Sequence, residues 1–316
     1  MASEGPVLIQ WIVDTRSLWP EATKTAQLED VAPQYLALLT PEERTGVLKY
    51  YFVRDAKMSL ASQLLKHYVV SKTQGIPWAS TKLTRDSHKK PIYLSPSGEQ
   101  PVYFNVSHQA GIVALTAVTD YPAGFGPVDV GVDVVCVNER ADRDHKMIQT
   151  QGWGTFVDMH ADVFGRSEAA DLKNVSLAGQ PRHIIDANLR KFYALWCLRE
   201  AYVKMTGEAL LAEWLNDLEF KSLRAPVPAL NEVQTAGDAQ DTIIREHEVL
   251  FKGKKVDDAN ICLRSLGKDY MTCTAVRTPK AKDDALRWDF GPFETIDISI
   301  ILEHAETMGS LQGSGL

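Results

Sequence analysis

"VGVDVVCV" (residues 130–137) is the stretch whose reading decides the fold. Apart from Gly131, one aspartate interrupts an otherwise apolar run. Such a run reads as a strand covered on both faces. A carboxylate buried there without a partner costs on the order of several kcal/mol. Asp133 therefore lies either at the strand's end or against something positive.

Working outward, "TDYPAGFGP" (119–127) is a turn-rich break and the expected boundary between two halves, 1–127 and 128–316. Before it, "PVYFNVSHQAGIVALTAV" (101–118) alternates, with Val102, Phe104 and Val106 on one face and Tyr103, Asn105 and Ser107 on the other. Gly111 then allows a tight reversal into a second strand. Earlier still, "IQWIVDTRSLW" (9–19) reads as a strand and turn, and 40–73 as helices. Thr40 and Glu43 form a capping box, with Pro41 at the first helical position. After the break come a helical region at 140–173 and a long helix, "NLRKFYALWCLREAYVKMTG" (188–207), stopped by Gly207. Residues 222–260 are polar and lack periodicity, which predicts a surface insertion, partly disordered. "ANICLRSLGKDYMTCTAVRT" (259–278) reads as a hairpin turning at Gly267, "ETIDISIIL" (294–302) as a strand, and "MGSLQGSGL" (308–316) as a frayed tail.

Each half thus offers a strand with an aspartate (Asp14, Asp133), a long helix and a hairpin. The expected fold is α+β: two pseudo-symmetric halves, each an antiparallel sheet packed by a long helix.

The 316 residues are 45% hydrophobic and 24% charged, an ordinary globular composition. A net charge of -7 argues against non-specific nucleic-acid binding. No window approaches the roughly 18 consecutive apolar residues of a membrane span, and the N-terminus lacks a signal-peptide pattern. A cytosolic protein with four buried free thiols is expected. "TRDSHKKP" (84–91) concentrates Arg85, His88, Lys89 and Lys90 in an otherwise acidic chain.

In the long helix, Glu200 and Lys204 are four apart and share a face. An exposed ion pair is the ordinary reading of that spacing. Here, however, Phe192, Leu195, Trp196, Leu198, Tyr202 and Val203 make the helix apolar nearly all round, so its charges need internal partners. A strand carboxylate (Asp133) and a helix carboxylate (Glu200) can satisfy each other by sharing a hard cation. Mg²⁺ is typically bound by one or two carboxylates plus waters and substrate phosphates.

"FNVSHQ" (104–109), "VGVDVV" (130–135) and "WCLREAYVK" (196–204), in that order, resemble the 4′-phosphopantetheinyl transferases of the surfactin-synthetase type, and most of all their broad-specificity eukaryotic branch. "FVRDAKMSLAS" (52–62) and "RDSHKKP" (85–91) look like that family's coenzyme A-binding segments. The resemblance implies an active site between the halves and transfer of the 4′-phosphopantetheine arm of coenzyme A to a serine of an acyl- or peptidyl-carrier protein. Adenosine 3′,5′-bisphosphate is the other product. It implies Asp133 and Glu200 as Mg²⁺ ligands, with Glu200 also taking the serine proton. Lys204 and His108 would hold phosphate, and Arg54, Lys57, Arg85 and Lys90 would contact the coenzyme's phosphates. The resemblance also implies His88, Lys89 and Pro91 of the second segment, and Asn105 and Ser107 of "FNVSHQ", as coenzyme-binding residues. Several carrier types (fatty-acid, polyketide and peptide synthases, aminoadipate reductase) and a monomeric state are expected.

One position departs from the pattern. Bacterial members carry a second acid two residues after the strand aspartate, where this chain has Val135. The eukaryotic branch resembled here has Gln at the position of Gln109, so Gln109 is the expected third metal donor and apo affinity for Mg²⁺ should be weak. The alternatives are a coenzyme A-binding protein without transfer activity and a Mg²⁺ phosphoryl transferase using another nucleotide. Intact Glu200 and Lys204 oppose the first, and the lack of a P-loop or kinase glycine loop opposes the second.

Overall fold

The computed structural model describes residues 5–208, 213–229 and 242–310. The chain opens with β1 (Val7–Asp14), then three short helices, α1 (Leu28–Val31), α2 (Pro33–Ala37) and α3 (Pro41–Leu48). The capping box forms: Thr40 N–H donates to Glu43 Oε2 at 3.0 Å and Glu43 N–H to Thr40 Oγ1 at 3.3 Å. Then come α4 (Val53–Gln74), the small ribbon β2 (Leu83–Arg85) and β3 (Pro91–Tyr93), and the hairpin β4 (Val102–Gln109) and β5 (Ile112–Thr119). Its two-residue turn takes positive φ at Ala110 (48°) and Gly111 (90°), as a twisted two-residue hairpin requires.

The second half begins with β6 (Asp129–Cys136), followed by α5 (Ala141–Gln151), α6 (Trp153–Asp158), α7 (Arg166–Lys173) and the long α8 (Arg182–Thr206). Gly207 ends α8 at φ 83°, in the left-handed region that favours glycine. β7 (Leu218–Lys221), β8 (Ile243–Ile244), β9 (Glu248–Phe251) and β10 (Lys254–Lys255) precede the hairpin β11 (Ala259–Leu266) and β12 (Tyr270–Arg277). A short α9 (Lys282–Leu286), β13 (Glu294–Thr295) and α10 (Ile298–Ser310) close the described chain.

The two main sheets share one wiring. In the first the order is β13-β1-β5-β4; in the second it is β6-β12-β11-β8. In each, the opening strand pairs antiparallel with the second strand of a later hairpin. Period-two alternation then sorts the residues into layers. Val113, Leu115 and Ala117 of β5 face α4, while Ile112 and Ala114 meet Val132 and Val134 of β6 between the sheets. The layers run helix, sheet, sheet, helix. This is the expected α+β pair of pseudo-symmetric halves.

Three expectations change. First, "ETIDISIIL" is a two-residue strand and a helix. Asp297 caps it by accepting from Ser299 N–H at 2.9 Å, and Ile298, Ile301, Leu302 and Ala305 recur at helical spacing against the first core. Second, β13 pairs parallel with β1 (Trp11 opposite Glu294), so the chain's last described segment belongs to the first half, across the 127/128 boundary. Third, the 222–260 region contributes β8, β9 and β10, the last two pairing with β7 as a small sheet; its residues 230–241 lie outside the described residues. Of the tail, 308–310 are helical and 311–316 lie outside the described residues. All four cysteines are free and buried. No described helix is long and apolar enough to cross a membrane.

Candidate active site

The site begins where β4 and β6, edge strands of different sheets, lie side by side. They are joined by side chains instead of a backbone ladder. Asn105, Ser107 and Gln109 alternate onto one face of β4, and all three reach β6. Val132 N–H donates to Asn105 Oδ1 at 3.1 Å, Ser107 Oγ donates to Asp133 Oδ1 at 2.9 Å, and Cys136 N–H donates to Gln109 Oε1 at 3.1 Å.

Gly131 sets the other wall. A Cβ there would stand 2.1 Å from Ala201 O and 2.5 Å from Met205 N, so only glycine lets α8 lie this close to β6. That approach delivers Lys204: its Nζ donates to Asp133 Oδ1 at 2.7 Å and to Ser107 Oγ at 2.8 Å. Asp133 is thus mid-strand, only 5% exposed, and met by a cation. The bonds from Ser107 and Lys204 both go to its Oδ1, and the buried Cys197 thiol of α8 also meets this carboxylate.

Glu200 lies one helical turn before Lys204, and its carboxylate makes no hydrogen bond or ion pair among the described residues. Burial first, and Asp133 second, push it up to about 7, with Lys204 opposing. Although burial works against its charge, Asp133 and then Glu200 hold the Lys204 ammonium above its usual range. The result is two carboxylates sharing one ammonium, with a proton affinity at Glu200 suited to general-base work near neutrality.

The loop of 86–90 rests on the end of α8. Lys90 Nζ donates to Val130 O at 3.1 Å and Lys204 O at 2.9 Å. His88 packs so near Gly207 that a Cβ there would lie 3.2 Å from His88 Cγ. Asp86 Oδ1 accepts from His88 N–H and Lys90 N–H, and Arg85 donates to Lys89 O at 2.6 Å. Lys89 takes φ 64°, and Pro91 opens β3. His108, after Ser107 on β4, is exposed. Partial desolvation and then Lys204 hold its imidazole below its usual range; Lys66 adds to the repulsion and Asp55 opposes it.

Two family descriptions match the chain: "4′-phosphopantetheinyl transferase, N-terminal" over residues 28–120 and "4′-phosphopantetheinyl transferase superfamily" over 129–263. A 4′-phosphopantetheinyl transferase 1 of Fusarium mangiferae is 47% identical over 305 residues, 96% of this chain and 97% of the relative. The transferase NpgA of Emericella nidulans is 37% identical, with 87% and 84% covered. An L-aminoadipate-semialdehyde dehydrogenase-phosphopantetheinyl transferase of Schizosaccharomyces pombe is 32% identical over 128 residues, 39% of this chain and 46% of the relative.

The chain belongs to the 4′-phosphopantetheinyl transferases. As a member of that family it is a transferase. The first matched region ends after β5 and the second begins at β6, so the joint described above lies between the two matched regions. In this phosphopantetheinyl transferase the joint gathers Asn105, Ser107, His108, Gln109, Asp133, Glu200, Lys204 and Lys90. Two other predicted residues have different contacts. Arg54 is 67% exposed along its side chain, beside Asp55 at 3.7 Å and over the Phe52 ring. Lys57 is buried and donates to Trp19 O at 2.9 Å.

Two residues escaped the sequence argument. Glu139, in the loop after β6, accepts from Gln109 Nε2 at 2.7 Å and so fixes the amide's orientation. Lys66, buried on α4, lies in the electrostatic neighbourhood of Arg85 and His108. Its signal was available: a lysine amid "ASQLLKHYVV" (61–70), where nearly every neighbour is buried.

Proposed function

We propose that the protein transfers the 4′-phosphopantetheine arm of coenzyme A to a serine of an acyl- or peptidyl-carrier domain, giving the holo-carrier and adenosine 3′,5′-bisphosphate. The observation that carries this reading is Glu200: an unpaired carboxylate held near neutrality beside Asp133 and Lys204, at the joint of the two halves.

The donor set fits Mg²⁺, a hard cation that takes carboxylate oxygens together with water and phosphate. Asp133 meets Ser107 and Lys204 through Oδ1, Glu200 makes no hydrogen bond or ion pair among the described residues, and an added positive charge would relieve the repulsion between the two carboxylates. Gln109 offers a neutral oxygen. That oxygen already accepts from Cys136 N–H but retains a second lone pair. Among the described residues no cluster of three His, Cys, Asp or Glu is present. When bound, the ion supplies charge neutralisation on the pyrophosphate.

The chain's own residues do the rest. Lys204 holds a pyrophosphate oxygen while remaining bonded to Asp133, and Lys90, Arg85 and His108 bound the coenzyme's path. The serine Oγ forms a bond to the phosphorus that bears the pantetheine arm. That phosphorus loses its bond to the bridging oxygen, which departs on adenosine 3′,5′-bisphosphate. Glu200 takes the serine proton. Fixed cations facing the leaving group stabilise charge as it develops, and positioning the serine removes much of the entropic barrier.

The two halves lie within one chain, which supports a monomer, and four buried free thiols support a reducing, cytosolic setting. The test is direct. Incubated with coenzyme A, Mg²⁺ and an apo carrier, the protein should add one phosphopantetheine arm to the carrier's mass. No gain across fatty-acid, polyketide and peptide carriers overturns the reading.

A further inference from the structure

β6 ends at Cys136 and α5 begins at Ala141, and residues 137–140 between them make one tight turn. The turn is held on several sides. Val137 N–H donates to Asp269 O at 2.8 Å, Ala141 N–H donates to Asn138 O at 3.1 Å, and the Cys136 thiol donates to Asn138 Oδ1 at 3.0 Å. Glu139 sits in the middle of that turn, exposed to solvent. Its carboxylate accepts from Gln109 Nε2 at 2.7 Å and makes no ion pair among the described residues.

Gln109 is thereby gripped at both ends of its amide. The oxygen accepts from Cys136 N–H at 3.1 Å, and the nitrogen gives a charge-assisted bond to Glu139. The two bonds decide which way the amide points. A flipped amide would set Nε2 against the Cys136 N–H and Oε1 against a carboxylate. Bonds in series also polarise one another, so the Glu139 charge draws electron density through the amide toward Oε1 and makes that oxygen a better donor.

The place where this oxygen sits gives the effect its meaning. Gln109, Val135 and Trp196 line one cavity of about 160 Å³. Val135 is two residues after Asp133 on β6 and therefore on the same strand face, but it brings no oxygen. With a neutral amide at Gln109, the candidate Mg²⁺ donors carry only the charges of Asp133 and Glu200. Glu139 places a further charge one hydrogen bond beyond the amide. Because Glu139 is exposed, water and salt screen its field through space, and its influence passes through the amide that it bonds.

We infer that Glu139 is a positioning residue for the metal: it fixes and polarises the Gln109 amide so that Oε1 serves as a donor, supplying through that amide the charge that an acid in the place of Val135 would supply directly. This rests on the Mg²⁺ and coenzyme A reading given above.

The test measures Mn²⁺, a substitute for Mg²⁺ visible by electron paramagnetic resonance, on the full chain saturated with coenzyme A, with uptake by coenzyme A alone subtracted. Glu139→Ala removes both bond and charge at an exposed turn. It should weaken Mn²⁺ about tenfold, the lower end of what an outer-shell partner is worth. Glu139→Gln keeps an acceptor for the amide and loses the charge, and should lie roughly threefold below wild type. The deciding comparison is made in a Gln109→Ala background, where Glu139→Ala should cost nothing further. The Mg²⁺ concentration for half-maximal carrier modification should rise in Glu139→Ala by the same factor as the Mn²⁺ constant. Unchanged Mn²⁺ affinity in Glu139→Ala overturns the inference. So does an equal loss with and without Gln109, because the carboxylate would then act on the ion by itself. Wild-type protein that takes up no Mn²⁺ beyond coenzyme A alone overturns the metal reading itself, and this inference with it.

Discussion

The two halves solve the same topological problem and treat their strand aspartates in opposite ways. Asp14 closes β1, and Arg16, two residues on, meets it at 2.6 Å. Against the upward push of burial, Arg16 holds that carboxyl below its usual range. Asp133 sits inside β6, and its cation comes from α8, 71 residues away. That cation is shared with Glu200, which is left high in pKa and unpaired. A charge neutralised by its sequence neighbour is closed, whereas a charge neutralised across elements with an acid to spare is poised to take a ligand. Chemistry is therefore expected in the half whose electrostatics stay incomplete.

The comparison can be broken at several points. Glu200→Gln should cost about a thousandfold in transfer rate while coenzyme A binding stays within a few-fold; retained transfer to an apo carrier would remove Glu200 from the chemistry. Gly131→Ala should cost about 3 kcal/mol of stability through overpacking against the backbone of α8, read as a lower denaturant midpoint. An unchanged midpoint would mean that the helix can move away from β6.

The two acids should also give opposite pH slopes in the metal-free protein. Glu200 is raised from 4.5 to about 7. Its ionisation therefore favours the unfolded chain, and its stabilising contribution is complete below about pH 4.5 and lost as pH rises through 7. Glu200→Gln should gain on wild type by about 1–2 kcal/mol across that interval. Asp14 is lowered, so its contribution is present above its ordinary range and lost as pH falls. Asp14→Asn should lose ground to wild type at neutral pH and regain it in acid. Matching slopes for the two variants in urea titrations would erase the distinction. Arg16→Ala, at a half-exposed pair, should cost no more than about 0.5 kcal/mol, and a larger loss would show that the first half's pair is not merely a surface closure.

Much of this was legible in the sequence for physical reasons. The β4–β5 hairpin announced itself by strict alternation and an Ala-Gly turn. α8 showed an apolar surround with two charges inside it, and an isolated aspartate in an apolar strand had to have a partner. What stayed hidden was tertiary. "DISIIL" is rich in β-branched residues that read locally as strand, and only docking against α4 reveals its helical spacing. Lys57 was named through the resemblance, and its bond to the backbone carbonyl of Trp19 leaves no trace in the sequence. Lys66 was not singled out at all, although it lies in a helix that has scarcely any solvent side. Gln109 was singled out as an oxygen donor, and its second task, bonding the backbone of β6, emerges only when the two sheet edges are set together.

The return of β13 and α10 to the first half has a consequence for how the protein is made. Ile296, Ile298, Ile301 and Ala305 cover the same core as Trp11 and Tyr68, and His304 meets Ser71 at 2.9 Å. On the ribosome, the first half therefore emerges with one flank of its core bare. It waits for the whole second half to be synthesised before its own last strand and helix arrive, so the two lobes mature together and premature release leaves both unfinished.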